Sequence, residues 1–236
     1  MFSFLTMNIN GDDKNVFPYV SDIAGGDRQR IDISKTEQWE VVFQHADQIG
    51  LYLHFKTQEQ ENDQLLDGGG LGDERKLYYR ELISRFGHHL ALNWNLGEEN
   101  TNTNAQRKAF SDYFKQVDPY DHPVVIHTYP GQKNQVYGPL LGYPTFDGAS
   151  LQGSDVFSDT KYWIEQSALA GRKWIVASDE TGPATQGVKP DQDNPTHDDD
   201  RKDILWANIM AGGGTQSCLE SFSSLFLFSL LLSILF

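Results

Sequence analysis

NWNLGEEN (residues 93–100) and WIVASDETG (residues 174–182) are the two stretches that decide the fold of this 236-residue chain. Each runs from an apolar, strand-forming segment directly into acidic residues, and a helix and two further strands are predicted between them. Acids that follow parallel strands of a barrel gather at one mouth of that barrel. The pattern therefore favours a (β/α) barrel with Glu99 and Glu180 facing a common cleft.

Strand and helix signals alternate along the remainder of the chain, which is typical of parallel βαβ units. We predict strands near 3–8, 51–57, 90–96, 124–127, 149–152 and 174–177, and helices near 34–49, 73–86, 105–117, 160–170 and 199–210. Ser34 is predicted to cap the first helix, with Glu37 closing a capping box. A complete barrel has eight strands. We therefore predict an α/β fold over residues 1–214, a (β/α)8 TIM barrel truncated by its first and last strands.

Residues 215–236 differ in composition from this predicted domain. From 221 onward only Ser, Leu, Phe and Ile occur. This run is shorter than the ~20 apolar residues that span a bilayer, and we interpret it as an artefactual end of the coding sequence rather than a tail anchor. The beginning of the chain lacks the basic and long apolar regions of a secretory signal.

The formal net charge of −14 restricts the classes of partner. It repels nucleic-acid phosphates and anionic lipids, which argues against a nucleic-acid partner and, unless the tail is a genuine anchor, against a membrane. Neutral carbohydrates carry no such penalty. The single cysteine, Cys218, excludes a disulfide within the chain.

Paired carboxyl groups suit the cleavage of glycosidic bonds. One carboxyl group protonates the leaving oxygen while a second faces the anomeric carbon, and a separation of about 5–5.5 Å gives retention of configuration. We assign Glu99 as the acid/base and Glu180 as the nucleophile. Glu98 remains an alternative to Glu99, because neighbouring strand-end residues point to opposite sides. Each of these acids could instead cap a helix or solvate a loop.

Other strand-end residues are candidates for substrate binding because they are polar or aromatic where aliphatic residues would be expected. They are Asn8, His54, Lys56, Gln58, Trp94, Glu98, His127 and Tyr129. His127 could equally be a packed structural residue, and Trp94 could be part of the core. We predict no metal and no cofactor, because the pair His88 and His89 lacks a second ligand cluster with zinc spacing. The acidic run 191–200 also lacks the ligand order of a calcium loop.

These motifs resemble a known family. FLTMNI (4–9), LHFKTQE (53–59), ENDQLLDGG (61–69), NLGEEN (95–100) and DETGP (179–183) are similar to uncharacterised secreted bacterial proteins. Those proteins carry an apiosidase-like or family-5-like clan-A glycoside hydrolase barrel, often beside a module labelled as collagen-binding. The resemblance covers about residues 2–213.

The resemblance implies an acid/base at the end of the fourth barrel strand and a nucleophile at the end of the seventh. Glu180-Thr181-Gly182 matches the nucleophile pattern. Gly97-Glu98-Glu99, aligned with the Gly-Gly-Asp of apiosidase-like enzymes, selects Glu99. A secreted or extracytoplasmic location is also implied. The sequence therefore predicts a cofactor-free O-glycosyl hydrolase with a retaining, two-carboxylate mechanism. The alternative is a non-catalytic carbohydrate-binding or pseudoenzyme barrel.

Overall fold

The computed structural model describes residues 2–4, 18–20, 27–180 and 200–214. Six parallel strands form one sheet in which every strand pairs with its neighbours in the sequence. They are β1 (Phe2–Phe4), β2 (Leu53–Lys56), β3 (Leu92–Asn95), β4 (Val124–His127), β5 (Gly148–Gln152) and β6 (Ile175–Glu180). Strands added in sequence order, with helices on the connections, are the arrangement of a (β/α) barrel. The predicted α/β fold is confirmed, with six of the eight strands of a complete barrel within the described residues.

Helices connect the strands. They are α1 (Ile33–Gln48), α2 (Asp73–Phe86), α3 (Asn104–Val117), α4 (Lys133–Tyr137), α5 (Val156–Leu169) and α6 (Ala207–Met210). A π-helical segment, Asp200–Trp206, leads into α6, and short 3-10 turns lie at Asp67–Gly69, Pro130–Gln132 and Gly138–Leu140. The helical segments between 130 and 140 were not predicted. Among the described residues, no helix combines the length and apolar character needed to cross a membrane.

The start of α1 corrects one prediction. Asp32, rather than Ser34, is the N-cap, and its carboxylate accepts hydrogen bonds from the backbone amides of Ser34 and Lys35 at 3.0 and 3.3 Å. An aspartate satisfies the free amides of a first helical turn as well as serine does, and its charge also complements the helix dipole. The predicted capping box between Ser34 and Glu37 is therefore wrong.

The outer face of the sheet packs against the helices through aromatic side chains. Phe55 of β2 lies 5.6 Å from the ring centroids of both Phe43 on α1 and Phe86 on α2, and Trp94 of β3 lies 5.3 Å from that of Phe114 on α3. All five side chains are fully buried. Because strand residues alternate between faces, their neighbours on β2 and β3 point to the inner face, towards the barrel interior.

The chain returns to the sheet after α6. The backbone amide of Gly214 donates to the carbonyl of Val176 on β6 at 2.7 Å, as the amide of Ile175 donates to Asp147 on the preceding connection. The helix that follows β6 therefore delivers the chain to the free edge of that strand. The predicted tail, 215–236, lies outside the described residues.

Candidate active site

The loop after β3 holds two of the candidate acids, and its backbone conformation is unusual. Gly97 has φ +141°, and a Cβ atom placed there would lie 2.7 Å from Cγ of Gln58. Glu99 has φ +45°, a left-handed conformation that is strained for a side chain other than glycine. Strain of this kind persists where surrounding contacts fix the backbone, and it concentrates at functional sites.

Buried polar side chains fix this loop to its neighbours. Gln58 donates to the carbonyl of Leu96 at 2.8 Å, and its backbone carbonyl accepts from the amide of Glu98 at 3.0 Å. The carboxylate of Asp63 accepts from the amide and hydroxyl of Thr101. The loop after β2, which contains the ENDQLLDGG stretch, thus clamps the loop that carries Glu98 and Glu99.

Gln58 was predicted to bind substrate, and the structure gives it a different role. Its side chain is fully buried, donates to Asn102 at 2.5 Å and accepts from the guanidinium of Arg75. Arg75 also donates to the backbone carbonyls of Asp63 and Gly70 at 2.7 and 2.9 Å. Gln58 is therefore a structural residue that joins two loops.

A β-bulge on β6 brings two consecutive acids to the inner face. Ser150 pairs with Ala177 and Leu151 with Ser178, but Gln152 pairs with Glu180, so Asp179 is an extra residue in the ladder. Such a bulge re-aims the side chains that follow it. Asp179 and Glu180 both contact His127 on β4, at 2.9 and 3.3 Å. Strict alternation would have sent one of them to the outer face.

Asp179 is the centre of a buried ionic network. Its carboxylate oxygens lie 2.9 Å from Nδ1 of His127, 3.2 Å from Nε2 of His54 and 3.9 Å from Nζ of Lys56. Burial alone would raise the pKa of Asp179, but the charges of His127 and Lys56 outweigh it and hold the pKa well below its usual range. Asp179 therefore remains ionised and neutralises the positive charges of His127 and Lys56.

His127 lies between two carboxylates. Nδ1 faces Asp179 and Nε2 faces Glu180, and the ring is fully buried. Burial would lower the pKa of His127, but the charge and hydrogen bond of Asp179, together with Glu180, raise it to about 10. The ring is therefore an imidazolium at neutral pH, with a positive charge next to Glu180.

The pKa values of Glu98 and Glu99 are shifted in opposite directions. Burial raises the pKa of Glu99, with a contribution from the charge of Glu180, and the interactions with Tyr129 and Gln152 only partly offset this increase. Burial acts in the same sense on Glu98, but the charges of Lys56 and His127 outweigh it and lower its pKa. Adjacent acids with opposite shifts can take different chemical roles.

One oxygen or nitrogen atom from each of Glu98, His127 and Glu180 lies within 4.8 Å of the other two. Nε2 of His127 and Oε2 of Glu180 have no well-aligned hydrogen-bond partner within the described part of the chain. The three donors could approach a metal ion only if His127 lost its proton and Glu98 left Lys56. With His127 protonated and Glu98 paired with Lys56, these side chains are suited to transferring protons and to stabilising a positive charge at the mouth.

The structure brings five predicted site residues together at the mouth, namely Glu98, Glu99, Glu180, His127 and Tyr129. His54 and Lys56 lie on the inner face, 2 and 4% exposed, where they contact Asp179. Trp94 is fully buried in the aromatic core and donates to Asp118 at 2.9 Å, so it cannot stack on a sugar. Asn8 lies outside the described residues.

Sequence reasoning missed Asp179, which contacts His127, and Gln152, which forms a hydrogen bond with Glu99. Asp179 was within a motif already identified, but strand alternation places a residue next to Glu180 on the opposite face. Gln152, the last residue of β5, occupies a strand end like the other candidates. Its strand-end position alone could have identified it.

The fold is similar to those of two solved structures from Bacteroides vulgatus ATCC 8482. One is a glycoside hydrolase of family 5, with TM-score 0.54 and 15% identity over 78% of this chain and 42% of that chain. The other is assigned as a candidate glycoside hydrolase, with TM-score 0.51 and 16% identity over 66% of this chain and 30% of that chain. No protein-family model and no curated protein matches the sequence.

The chain therefore has the fold of part of these two glycoside hydrolase structures and spans less than half the length of either. At these identities the likeness concerns the fold. The apiosidase-like part of the sequence resemblance stays a prediction.

Proposed function

We propose that this chain is a carbohydrate-active hydrolase that cleaves O-glycosidic bonds with retention, using Glu99 as the acid/base and Glu180 as the nucleophile. The observation that carries the proposal is the raised pKa of Glu99 beside the lowered pKa of Glu98, at the mouth that also holds Glu180. A raised pKa favours the protonated carboxyl group that a general acid needs for the leaving oxygen.

In the first proposed step, Glu180 forms a bond to the anomeric carbon while the glycosidic C–O bond breaks. The proton of Glu99 passes to the departing oxygen. In the second step, water gives a proton to Glu99 and attacks the same carbon, which releases Glu180. His127 would hold the Glu180 carboxylate in position, since its Nε2 lies 3.3 Å from Oε2. Asp179 would balance the charge of His127.

Glu98 would serve as a charged group rather than as the proton donor. Its carboxylate is paired with Lys56, a residue only 4% exposed. A carboxylate held ionised by an ammonium group has no proton to donate at neutral pH. It can, however, stabilise the positive charge that develops on a sugar ring in the transition state.

Substrate panels with matched glutamine variants test the proposal. Glu180→Gln is expected to abolish hydrolysis of every glycoside. Glu99→Gln is expected to lower the rate by about 10²–10⁴-fold for alkyl glycosides, whose leaving group needs a proton, but far less for dinitrophenyl glycosides. The exposed Glu165 provides the matched control, since Glu165→Gln is expected to leave all rates unchanged.

Product stereochemistry supplies an independent test. Proton NMR of the first-formed sugar is expected to show the anomer of the substrate. Inversion would contradict the assignment of Glu180 as a nucleophile, because an inverting enzyme uses its second carboxylate to activate water.

The second candidate is a carbohydrate-binding protein without turnover. It is favoured by the coverage of 30 and 42% of the two solved structures, since part of each whole enzyme has no counterpart here. Calorimetric sugar binding that is equal in the wild type and in Glu180→Gln, without hydrolysis by either, would support it over the hydrolase.

A further inference from the structure

A second cluster of ligating side chains lies outside the candidate active site. His88 and His89 precede β3, whereas Glu98 and Glu99 follow it, so the two groups lie at opposite ends of that strand. The sequence spacing alone identified no further metal ligand for His88 and His89. The fold supplies one, because Glu40 on α1 is placed beside both rings.

The three donor atoms converge. Nε2 of His88 lies 3.1 Å from one carboxylate oxygen of Glu40, and Nε2 of His89 lies 3.1 Å from the other. All three donors lie within 4.8 Å of one another. Tetrahedral zinc with bonds of about 2.0–2.1 Å requires donors about 3.3 Å apart, so small side-chain adjustments would accommodate the ion.

The other ring nitrogen of His89 also has the partner that a metal ligand needs. Nδ1 lies 2.5 Å from Oδ2 of Asp47, two turns along α1 from Glu40. Histidines that ligate zinc usually donate their second ring N–H to a carboxylate, which fixes the tautomer and leaves Nε2 free for the metal. The carboxylates of Glu40 and Asp47 together balance the two charges of a divalent ion.

The position of His89 is fixed before any ion binds. Its side chain is 1% exposed, and its ring packs edge-on against Phe43 at 5.9 Å. Its backbone amide donates to Phe86 at 3.1 Å, and its carbonyl lies 3.2 Å from Nε2 of His122. His88, by contrast, is half exposed, which leaves an entry path and an open coordination position for water.

We propose that Glu40, His88 and His89 form a binding site for a divalent transition metal of the zinc class, with Asp47 orienting His89. Two imidazoles and one carboxylate suit zinc better than magnesium or calcium, which prefer oxygen ligands. The site is independent of the proposed hydrolase reaction, because none of its residues lies at the mouth that holds Glu180.

Isothermal titration of the chelator-treated full chain with zinc chloride tests the proposal. One equivalent is expected to bind to the wild type. Glu40→Gln and His88→Ala are each expected to weaken binding by at least tenfold, and Asp47→Asn by about 10–100-fold. His45→Ala removes an exposed histidine from α1 outside the cluster and is expected to change nothing.

Circular dichroism of each variant would confirm that the fold is retained, and a rise in melting temperature with added zinc is expected only where the site is intact. Absence of binding to the wild type would overturn the proposal. So would equal binding by Glu40→Gln and His88→Ala, or loss of binding in Glu98→Gln, which would place the ion among Glu98, His127 and Glu180. Loss of hydrolysis alone bears only on the proposed function.

Discussion

At the scale of single residues, the candidate site depends on backbone conformations that few residues adopt. Gly97, at φ +141°, leaves no room for a Cβ because Gln58 lies against it. Glu99 accepts a left-handed conformation at φ +45°. Together they aim the Glu98 and Glu99 side chains after β3 has ended, where strand alternation no longer applies.

Gly97→Ala is therefore expected to destabilise the protein by about 1–3 kcal/mol, because the new methyl group would displace Gln58 and strain the backbone. Urea denaturation measures the change. Gly131→Ala is the control, since its added Cβ would meet no atom within 4 Å. Equal effects of the two substitutions would contradict this account of Gly97.

The raised pKa of Glu99 predicts the alkaline limb of the pH–rate profile. A general acid must be protonated, so activity is expected to fall as the pH rises through that raised pKa. With substrates whose leaving group needs a proton, the alkaline limb of kcat/KM should disappear from the residual activity of Glu99→Gln and persist in Glu98→Gln. The reverse pattern would assign the acid/base to Glu98.

At the scale of elements, the two faces of the sheet divide structural from chemical roles. Outward residues of β2 and β3 pack on the helices, and inward residues, such as His54 and Lys56, surround Asp179. The bulge on β6 is the exception that places Asp179 and Glu180 on the same side. One inserted residue thus creates the contact between His127 and both carboxylates.

Phe55→Ala is expected to cost about 3–5 kcal/mol of unfolding free energy, because it opens a cavity among fully buried rings that cannot collapse completely. Denaturant unfolding measures the cost. Val41 on α1 is 52% exposed, and Val41→Ala should change stability by less than about 0.5 kcal/mol. A small cost for Phe55→Ala would show that the packing of β2 against α1 and α2 is looser than described.

At the scale of the whole molecule, buried carboxylates link stability to pH. Burial raises the pKa of Asp118, but hydrogen bonds from His122, Trp94 and the Tyr120 amide outweigh it and lower the pKa to about 2. Asp179 is shifted in the same direction. A lowered folded-state pKa stabilises the protein above the unfolded-state value near 4, and this contribution is lost as the pH falls towards the folded-state value.

The unfolding free energy, measured as the pH is lowered, is therefore expected to distinguish Asp118 from surface acids. Asp118→Asn should lower the unfolding free energy by roughly 2 kcal/mol at pH 6, and its difference from the wild type should shrink as the pH falls from about 4 to about 2. Asp121→Asn, at a side chain 80% exposed, should follow the wild-type curve. Parallel curves for Asp118→Asn and the wild type would contradict the assigned shift.

The order of the six strands and of the longer helices between them was determined by the sequence alone. Helix α2 was predicted with its observed ends, Asp73 and Phe86, because acids in its first turn and a 3.6-residue apolar period are local signals. The placement of the strand-end acids at one end of the sheet followed from the parallel barrel pattern. These features depend on neighbouring residues, so a single sequence carries them.

The tertiary structure decided the roles that depend on distant partners. Gln58 has a structural role because Arg75 lies beside it. Asp179 points inward because β6 bulges against β5. Glu40 on α1 lies beside His88 and His89 and supplies the third donor. Each outcome joins residues that are far apart in the chain or depends on a one-residue shift in strand register. Local patterns contain neither kind of information, because both arise only when the elements pack together.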